Sequence, residues 1–153
     1  MSTTQTLHPV ATAWSIETAA DPAFSYENSE GGLQIRFIVD LGDDARNADI
    51  QAQLQKRGCL DESALPDDIY NAAGYRIAKL TFRRFREMSF FPKEDLHNLV
   101  LKDSSGDASL PPAVYEAAPS EAGWRKFYFV GHDLAVCVIT ADLWQEDLIE
   151  LCE

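Results

Sequence analysis

The sequence is poor in cysteine, in long apolar runs and in positive charge, and each shortage narrows what the chain can be. Its three cysteines, Cys59, Cys137 and Cys152, lie far apart and form no C-x-x-C pair, so neither a disulfide framework nor a cysteine metal site is expected. The longest apolar run extends only from Leu134 to Ile139, well short of the ~20 residues that cross a bilayer. The N-terminus lacks the features of a secretory signal. We therefore expect a cytoplasmic protein that does not span a membrane.

Recognisable catalytic motifs are missing as well. The sequence has no glycine-rich phosphate loop, no G-x-S-x-G elbow and no H-E-x-x-H pattern. His132 and Asp133 are possible ligands of a divalent ion, but their place in a predicted hairpin turn favours a turn role. Cys137 is interpreted as a small buried apolar residue, and Cys59 as the better candidate for an exposed reactive thiol. We expect no cofactor and no metal, and the interpretation leans away from an enzyme.

Positive charge is scarce overall but concentrated in one segment. The 153 residues include 13 Lys and Arg against 25 Asp and Glu, for a net charge of −12. Residues 76–93 hold 6 basic and 1 acidic side chains, whereas residues 1–75 hold 4 and 12 and residues 94–153 hold 3 and 12. A surface that is mostly acidic repels phosphate backbones, so nucleic-acid binding is not expected. The same surface favours a basic protein partner, and no pattern indicates an oligomeric state.

Length and periodicity predict one α+β domain. A chain of 153 residues is a usual size for a single hydrophobic core. We expect residues 1–9 to form a flexible arm and residues 10–153 to form the domain. Its sheet should be antiparallel or mixed with about five strands, covered by helices from the middle and the C-terminus of the chain.

Alternation of apolar and polar residues predicts strands near both ends of the chain. The predicted strands are Val10 to Thr18, Phe24 to Asn28, Leu33 to Leu41, Trp124 to Val130 and Leu134 to Thr140. In Leu33 to Leu41 every second residue from Leu33 to Val39 is apolar, which places them on one face. The last two strands are rich in aromatic and β-branched residues around Gly131-His132-Asp133, which predicts a C-terminal β-hairpin.

Helical spacing and capping residues predict helices in the middle and at the end of the chain. The predicted helices are residues 44–57, Pro66 to Asn71 or beyond, Tyr75 to Met88, a short stretch after Pro92, one turn from Pro111 to Ala117, and the chain end from Asp142. Asp43 or Asp44 can cap the first of these and Gly58 can end it. Asp142 and Gln145 form a capping-box-like pair at the start of the last one.

A basic stripe is predicted on the helix from Tyr75 to Met88. At 100° per residue its cations fall together, and they are Arg76, Lys79, Arg83 and Arg86, joined by Arg84. Arginines on one helix face can bind phosphate or RNA. The stripe can also lie against the protein's own acidic C-terminal helix, or dock an acidic partner.

An acidic face is predicted on the C-terminal helix. Its outer side would carry Glu146, Asp147, Glu150 and Glu153, reinforced by Asp142. Its inner side would carry Trp144, Leu148, Leu151 and Cys152. Carboxylates on a regular scaffold steer and orient a basic surface, so this face is the predicted partner-binding site. The competing interpretation is an ordinary solvated helix face.

Three functional hypotheses remain open at this level. The first is a non-enzymatic binding protein that occludes a basic partner, as an immunity protein, an antitoxin or a phage-encoded inhibitor does. The second is a small-molecule binder or enzyme with a site assembled from dispersed residues, namely Trp14, Tyr75, Trp124, Tyr128 and Arg83. The third is a nucleic-acid mimic whose carboxylates imitate phosphates, which the basic segment opposes.

Overall fold

The computed structural model describes residues 5–17, 25–29, 32–96, 99–101, 113–118 and 121–151. The strands are β1 (Gln5–Pro9), β2 (Ser15–Ile16), β3 (Ser25–Ser29), β4 (Gly32–Asp40), β5 (Tyr75–Phe82), β6 (Phe85–Pro92), β7 (Leu99–Leu101), β8 (Ala113–Ala118), β9 (Arg125–Val130), β10 (Leu134–Thr140) and β11 (Gln145–Glu150). The helices are α1 (Asp43–Arg57) and α2 (Asp67–Ala72), and short 3₁₀ turns cover Glu62–Ala64 and Lys93–Leu96.

Two sheets pack face to face around one apolar core. The six-stranded sheet has the order β6-β10-β9-β8-β1-β7, and the five-stranded sheet has the order β11-β5-β4-β2, with β3 also paired to β4. The alternating apolar residues of β4, from Leu33 to Val39, point into this core as the sequence predicts. Phe37 and Phe82 each contact Phe129 of the opposite sheet with ring centroids 5.9 Å apart. The molecule is therefore a β-sandwich with aromatic contacts between its layers.

The outer face of the six-stranded sheet is buried as well. Tyr128 and Cys137 belong to a second apolar cluster that also contains Leu7 of β1 and Leu96 of a 3₁₀ turn. Alternate residues of a strand point to opposite faces, so β9 and β10 contribute to both clusters. This explains why Leu134 to Thr140 is apolar on both faces, as the sequence indicated for a central strand.

Helices α1 and α2 connect β4 to β5 and pack on each other. Helix α1 ends where Gly58 adopts the left-handed conformation, with φ of 68°, and this confirms the helix predicted over residues 44–57. Its buried residues, Ile50 and Leu54, pack against Leu65 and Ala73. The start of α2 after Pro66 is confirmed too. No helix in the described part of the chain is long and apolar enough to cross a membrane.

The predicted fold class, an α+β domain with helices covering one sheet of about five strands, is wrong. Strands dominate the described residues, and α1 is the only helix among them longer than six residues. The C-terminal hairpin is confirmed, because β9 and β10 pair antiparallel from Val130↔Ala135 to Arg125↔Thr140. The amphipathic helix expected after it is not formed, since Gln145–Glu150 is β11 and pairs with β5. Backbone pairing at the sheet edge overrides the helical period here.

The helix predicted over Tyr75 to Met88 is also wrong, and its spacing has a physical explanation. This stretch contains β5, a turn at Arg83 and Arg84, and the start of β6, which lies in the other sheet. The register of β6 with β10 shifts near Phe85, where the ladder has a β-bulge or irregularity. The turn and the register shift leave Phe82, Phe85 and Met88 all packed on the core. Their three-residue spacing imitates a helix.

Several shorter segments also differ from their predictions. In the arm predicted over residues 1–9, Gln5–Pro9 forms β1, which pairs with β7 and β8, and Leu7 is fully buried. Residues 1–4 lie outside the described residues. The helices predicted after Pro92 and from Pro111 are replaced by one 3₁₀ turn, β7 and β8. The strand predicted from Val10 to Thr18 is reduced to β2, whereas the one from Phe24 to Asn28 is confirmed as β3 for its described residues.

Candidate functional site

Strand β11 carries most of the predicted acidic residues and forms an edge of the five-stranded sheet. Among the described strands it pairs only with β5, antiparallel, from Gln145↔Thr81 to Glu150↔Arg76. All its residues are exposed, including Leu148 at 42% and Ile149 at 40%. An edge strand leaves alternate backbone N–H and C=O groups without ladder partners. Strand β11 therefore offers both side chains and backbone hydrogen-bonding groups.

The acidic residues do not share one face, which corrects the predicted arrangement. Glu146 pairs in register with Leu80, a core residue, so Glu146 and Glu150 lie on the core-facing side of β11. Asp147 and Ile149 lie on the outer side. Asp142 precedes the strand, and Glu153 lies outside the described residues. The predicted face is thus a two-sided acidic edge.

The predicted basic stripe lies beside these acids. The register of β5 with β11 places Arg76 opposite Glu150 and Lys79 opposite Asp147. The Nε atom of Arg84 lies 3.3 Å from Oδ2 of Asp142. These contacts agree with one interpretation of the stripe, in which it lies against the protein's own acidic C-terminal segment. Both segments are strands, however, and not helices.

Arg76 is bound to a different carboxylate, that of Asp49 on α1. Its Nη1 and Nη2 donate to Oδ2 and Oδ1 of Asp49 at 2.7 and 2.9 Å, and the N–H of Gly74 donates to Oδ2 at 2.8 Å. The hydrogen bond from Arg76 lowers the pKa of Asp49, and the same bond raises the pKa of Arg76. Bidentate pairs of this kind are strong. Asp49 is therefore the hydrogen-bonded carboxylate partner of Arg76, whereas Glu150 stands opposite Arg76 across the strand pair.

The other predicted cations are dispersed. Arg86 forms an ion pair with Glu121, and its guanidinium lies 5.7 Å from the ring centroid of Trp124. Arg83 is exposed in the turn between β5 and β6. The structure therefore does not bring Arg76, Lys79, Arg83 and Arg86 together as one anion-binding surface.

Glu146 also has a structural contact. The indole Nε1 of Trp14 donates to Oε1 of Glu146 at 2.9 Å. Trp14 is only 5% exposed and packs edge-on against Phe37, with ring centroids 5.5 Å apart. A buried N–H without an acceptor costs about 1–3 kcal/mol. The bond therefore ties the edge strand to the N-terminal segment.

Two concavities lie beside the helices. A groove of about 110 Å³ between α1, α2 and the ends of β5 and β11 is lined in part by Asp49, Arg76 and Glu150. An open depression of about 390 Å³ is lined by polar residues that include Asp61 and Asp67. Small-molecule sites usually have volumes of roughly 300–1,000 Å³ and mostly apolar walls. The groove is smaller than this range, and the depression is more polar.

The residues predicted for a dispersed small-molecule site lie apart. Trp14 is in the core between the sheets, whereas Tyr128 is in the cluster on the outer face of the six-stranded sheet. Tyr75 begins β5 and Trp124 immediately precedes β9. Together with Arg83 in its turn, these side chains form no common cleft.

Cys137 lies buried against Tyr128, as its sequence context predicts. Burial raises the pKa of its thiol to about 11, so the thiol stays protonated at neutral pH. Cys59 is partly exposed just after α1. In the exposed turn between β9 and β10, Nε2 of His132 lies 3.9 Å from Oδ1 of Asp133. The described residues contain no cluster of three or more potential metal ligands.

No protein-family model, curated protein or solved structure matches this chain. Its function must therefore be inferred from the β-sandwich and from the exposed acidic edge strand.

Sequence reasoning missed Asp49 and Glu121 as the partners of Arg76 and Arg86, and it named Trp14 for a small-molecule site but not as the partner of Glu146. Asp49 is 27 positions before Arg76, and Trp14 is 132 positions before Glu146. No local pattern predicts contacts over such separations, because strand order creates them. The one available signal is that Asp49 adjoins Ile50 at the edge of the apolar stripe of α1.

Proposed function

We propose that this protein is a non-enzymatic binding module that docks a basic partner protein on β11 and thereby occludes it. The observation that carries the proposal is that β11 is exposed along its whole length at a sheet edge and is acidic at three of its six positions. Exposed edge strands are natural contact sites for other chains. Inhibitors such as immunity proteins and antitoxins need only a complementary face of this kind.

Charge at this edge favours a basic partner. Asp147 and Glu150 stand on opposite faces of the strand, and neither forms an ion pair closer than 4 Å within the described part of the chain. The net charge of −12 adds a long-range attraction for basic proteins. Leu148 and Ile149 lie between these two acids in the chain and supply exposed apolar area. Each face of β11 therefore presents an acid beside an apolar side chain to a partner that pairs along this edge.

The other two hypotheses have less support from the geometry. A nucleic-acid mimic needs uncompensated charges that follow the regular phosphate spacing, whereas Arg84 lies 3.3 Å from Asp142. A small-molecule site needs an apolar cleft, and the groove beside α1 has a volume of about 110 Å³.

The test is affinity capture from lysate of the protein's own source, at low and high salt, with three forms of the tagged chain. These forms are the wild type, Asp147→Lys on β11, and Asp133→Lys in the exposed turn at the far end of β10. Both substitutions change the charge equally, so only position differs. We expect a stoichiometric basic protein with the wild type and Asp133→Lys, lost at high salt, and much less of it with Asp147→Lys.

Asp147 is the suitable position because, within the described residues, no hydrogen bond or ion pair joins its side chain to another residue, unlike Glu146 with its bond from Trp14. Thermal unfolding of both variants checks that each remains folded. Equal capture of the basic protein by all three forms contradicts the proposal. So does recovery of the wild-type chain without any basic partner.

A further inference from the structure

The residues of β5 that pair with β11 indicate which types of side chain a strand beside β11 would carry. In the antiparallel register Arg76, Ile77, Ala78 and Lys79 face Glu150, Ile149, Leu148 and Asp147. The order along β5 is therefore basic, apolar, apolar, basic. Side chains of an edge strand project above and below the sheet, so a neighbour on either side reaches them equally. A strand on the free side of β11 would meet the same four side chains.

The four side chains of β11 from Asp147 to Glu150 are not fully engaged by β5: within the described residues the two acids form no ion pair with it, and the two apolar side chains remain exposed. The guanidinium of Arg76 opposite Glu150 is already bound to both oxygens of Asp49, at 2.7 and 2.9 Å. No ion pair joins Lys79 to Asp147 within the described residues, although they stand opposite each other. Leu148 and Ile149 remain 42% and 40% exposed. An added strand would pair the acids, cover the apolar side chains and satisfy the free backbone groups.

We propose that β11 binds an extended segment of the basic partner as an added antiparallel strand. This segment carries a basic, two apolar and a second basic residue in the positions opposite Glu150 to Asp147. The inference rests on the proposed function, since it specifies how the basic partner docks. Backbone hydrogen bonds supply affinity along the edge, and alternate side chains supply specificity.

Two other arrangements fit less well. A second copy of this chain would place the acids of two β11 strands in one ladder, and like charges directly opposite destabilise a strand pair. One edge strand of the other sheet, β6, is exposed at only four of its eight residues and ends in Pro92, which has no N–H to donate. The acidic edge therefore selects a basic strand from a different protein.

The probe is an eight-residue peptide with the sequence of β5, Tyr75–Phe82, capped at both ends. It is titrated into the isotopically labelled full-length protein, and binding is followed by backbone amide NMR. We expect chemical-shift changes concentrated on β11. A matched peptide with glutamate at both basic positions should bind about tenfold more weakly, because two attractive cross-strand pairs become repulsive.

Two N-methylated versions of the peptide separate strand addition from simple charge attraction. Each is methylated on alternate residues, so each loses the N–H donors of one edge and keeps both positive charges. In an added strand only one edge of the peptide faces β11. We therefore expect one version to lose binding and the other to keep it.

Equal binding of both methylated versions would overturn strand addition. If the peptide with glutamate at both basic positions nevertheless binds more weakly, docking of the partner by charge still has support. If the unmodified peptide does not bind, or shifts residues away from β11, the proposed segment chemistry is overturned. The proposed function is then decided separately by capture with Asp147→Lys and Asp133→Lys.

Discussion

At the residue scale, the position of β11 depends on a hydrogen bond between chain segments far apart. Glu146→Leu removes the acceptor for Nε1 of Trp14, and we expect it to lower the free energy of unfolding by about 1–3 kcal/mol. Glu146→Gln keeps a side-chain oxygen in the same position, so its loss should be clearly smaller. Urea denaturation measures both. Equal stability of the two variants would show that the indole bond does not stabilise the fold.

Alanine substitutions at two glycines with positive φ allow the cost of backbone strain to be distinguished from the cost of a steric clash. Gly74 and Gly58 have φ of 84° and 68°. A Cβ on Gly74 would lie 2.9 Å from Cβ of Arg46, whereas nothing lies within 4 Å of a Cβ on Gly58. Gly58→Ala should destabilise by about 1–2 kcal/mol from the left-handed conformation alone. Gly74→Ala should cost more, because α1 must also move away.

Thermal and denaturant unfolding of the two alanine variants provide the measurement. Losses of the same size at both positions would mean that the close approach of α1 to Gly74 contributes nothing to stability. A larger loss at Gly74 should be accompanied by weakening of the bond from its N–H to Asp49.

At the scale of elements, hydrogen exchange distinguishes β11 from the helix that its sequence suggests. In an antiparallel pair, alternate residues direct their N–H groups to the partner strand. We expect alternating slow and fast amide exchange from Gln145 to Glu150, and uniform protection along β5, which lies between β4 and β11. NMR-detected exchange is the measurement. Continuous protection along Gln145–Glu150 would indicate a helix or an occupied second edge.

The same scale explains which elements could be predicted from sequence. Strand β4 alternates cleanly because one side faces the core along its full length. In contrast, Phe82, Phe85 and Met88 face the core across a turn, a change of sheet and a register shift. That spacing has no single period, so periodicity alone assigns it to a helix. The sequence was sufficient to name the acidic residues of the candidate site. It was not sufficient to predict that they lie on two opposite faces of a strand.

At the scale of the whole molecule, two ion pairs predict how stability depends on pH. Hydrogen bonds from Arg76 and Arg125 lower the pKa of Asp49 and of Glu116 from ordinary values of 3.8 and 4.5. A carboxyl group whose pKa is lowered on folding stabilises the fold above its unfolded pKa, and this is lost as pH falls through the folded pKa. We therefore expect stability to decline below about pH 4.

The variant Asp49→Asn tests this dependence. It should be less stable than the wild type at neutral pH, because Arg76 loses its charged partner, and its stability should fall less steeply below about pH 4. Denaturant unfolding at a series of pH values measures both effects. Parallel pH profiles for the two proteins would remove Asp49 from the acid-sensitive groups.

Sequence alone predicts the elements whose causes are local. These are α1 with its capping glycine, the alternating strand β4, and the hairpin of β9 and β10. Their signals lie within a few residues, where capping, turn geometry and one-sided burial operate. The sequence also located the acids of β11. That β5, β6 and β11 are strands, and that acids and cations lie side by side, follows only from the three-dimensional fold, because backbone pairing joins segments about 70 residues apart.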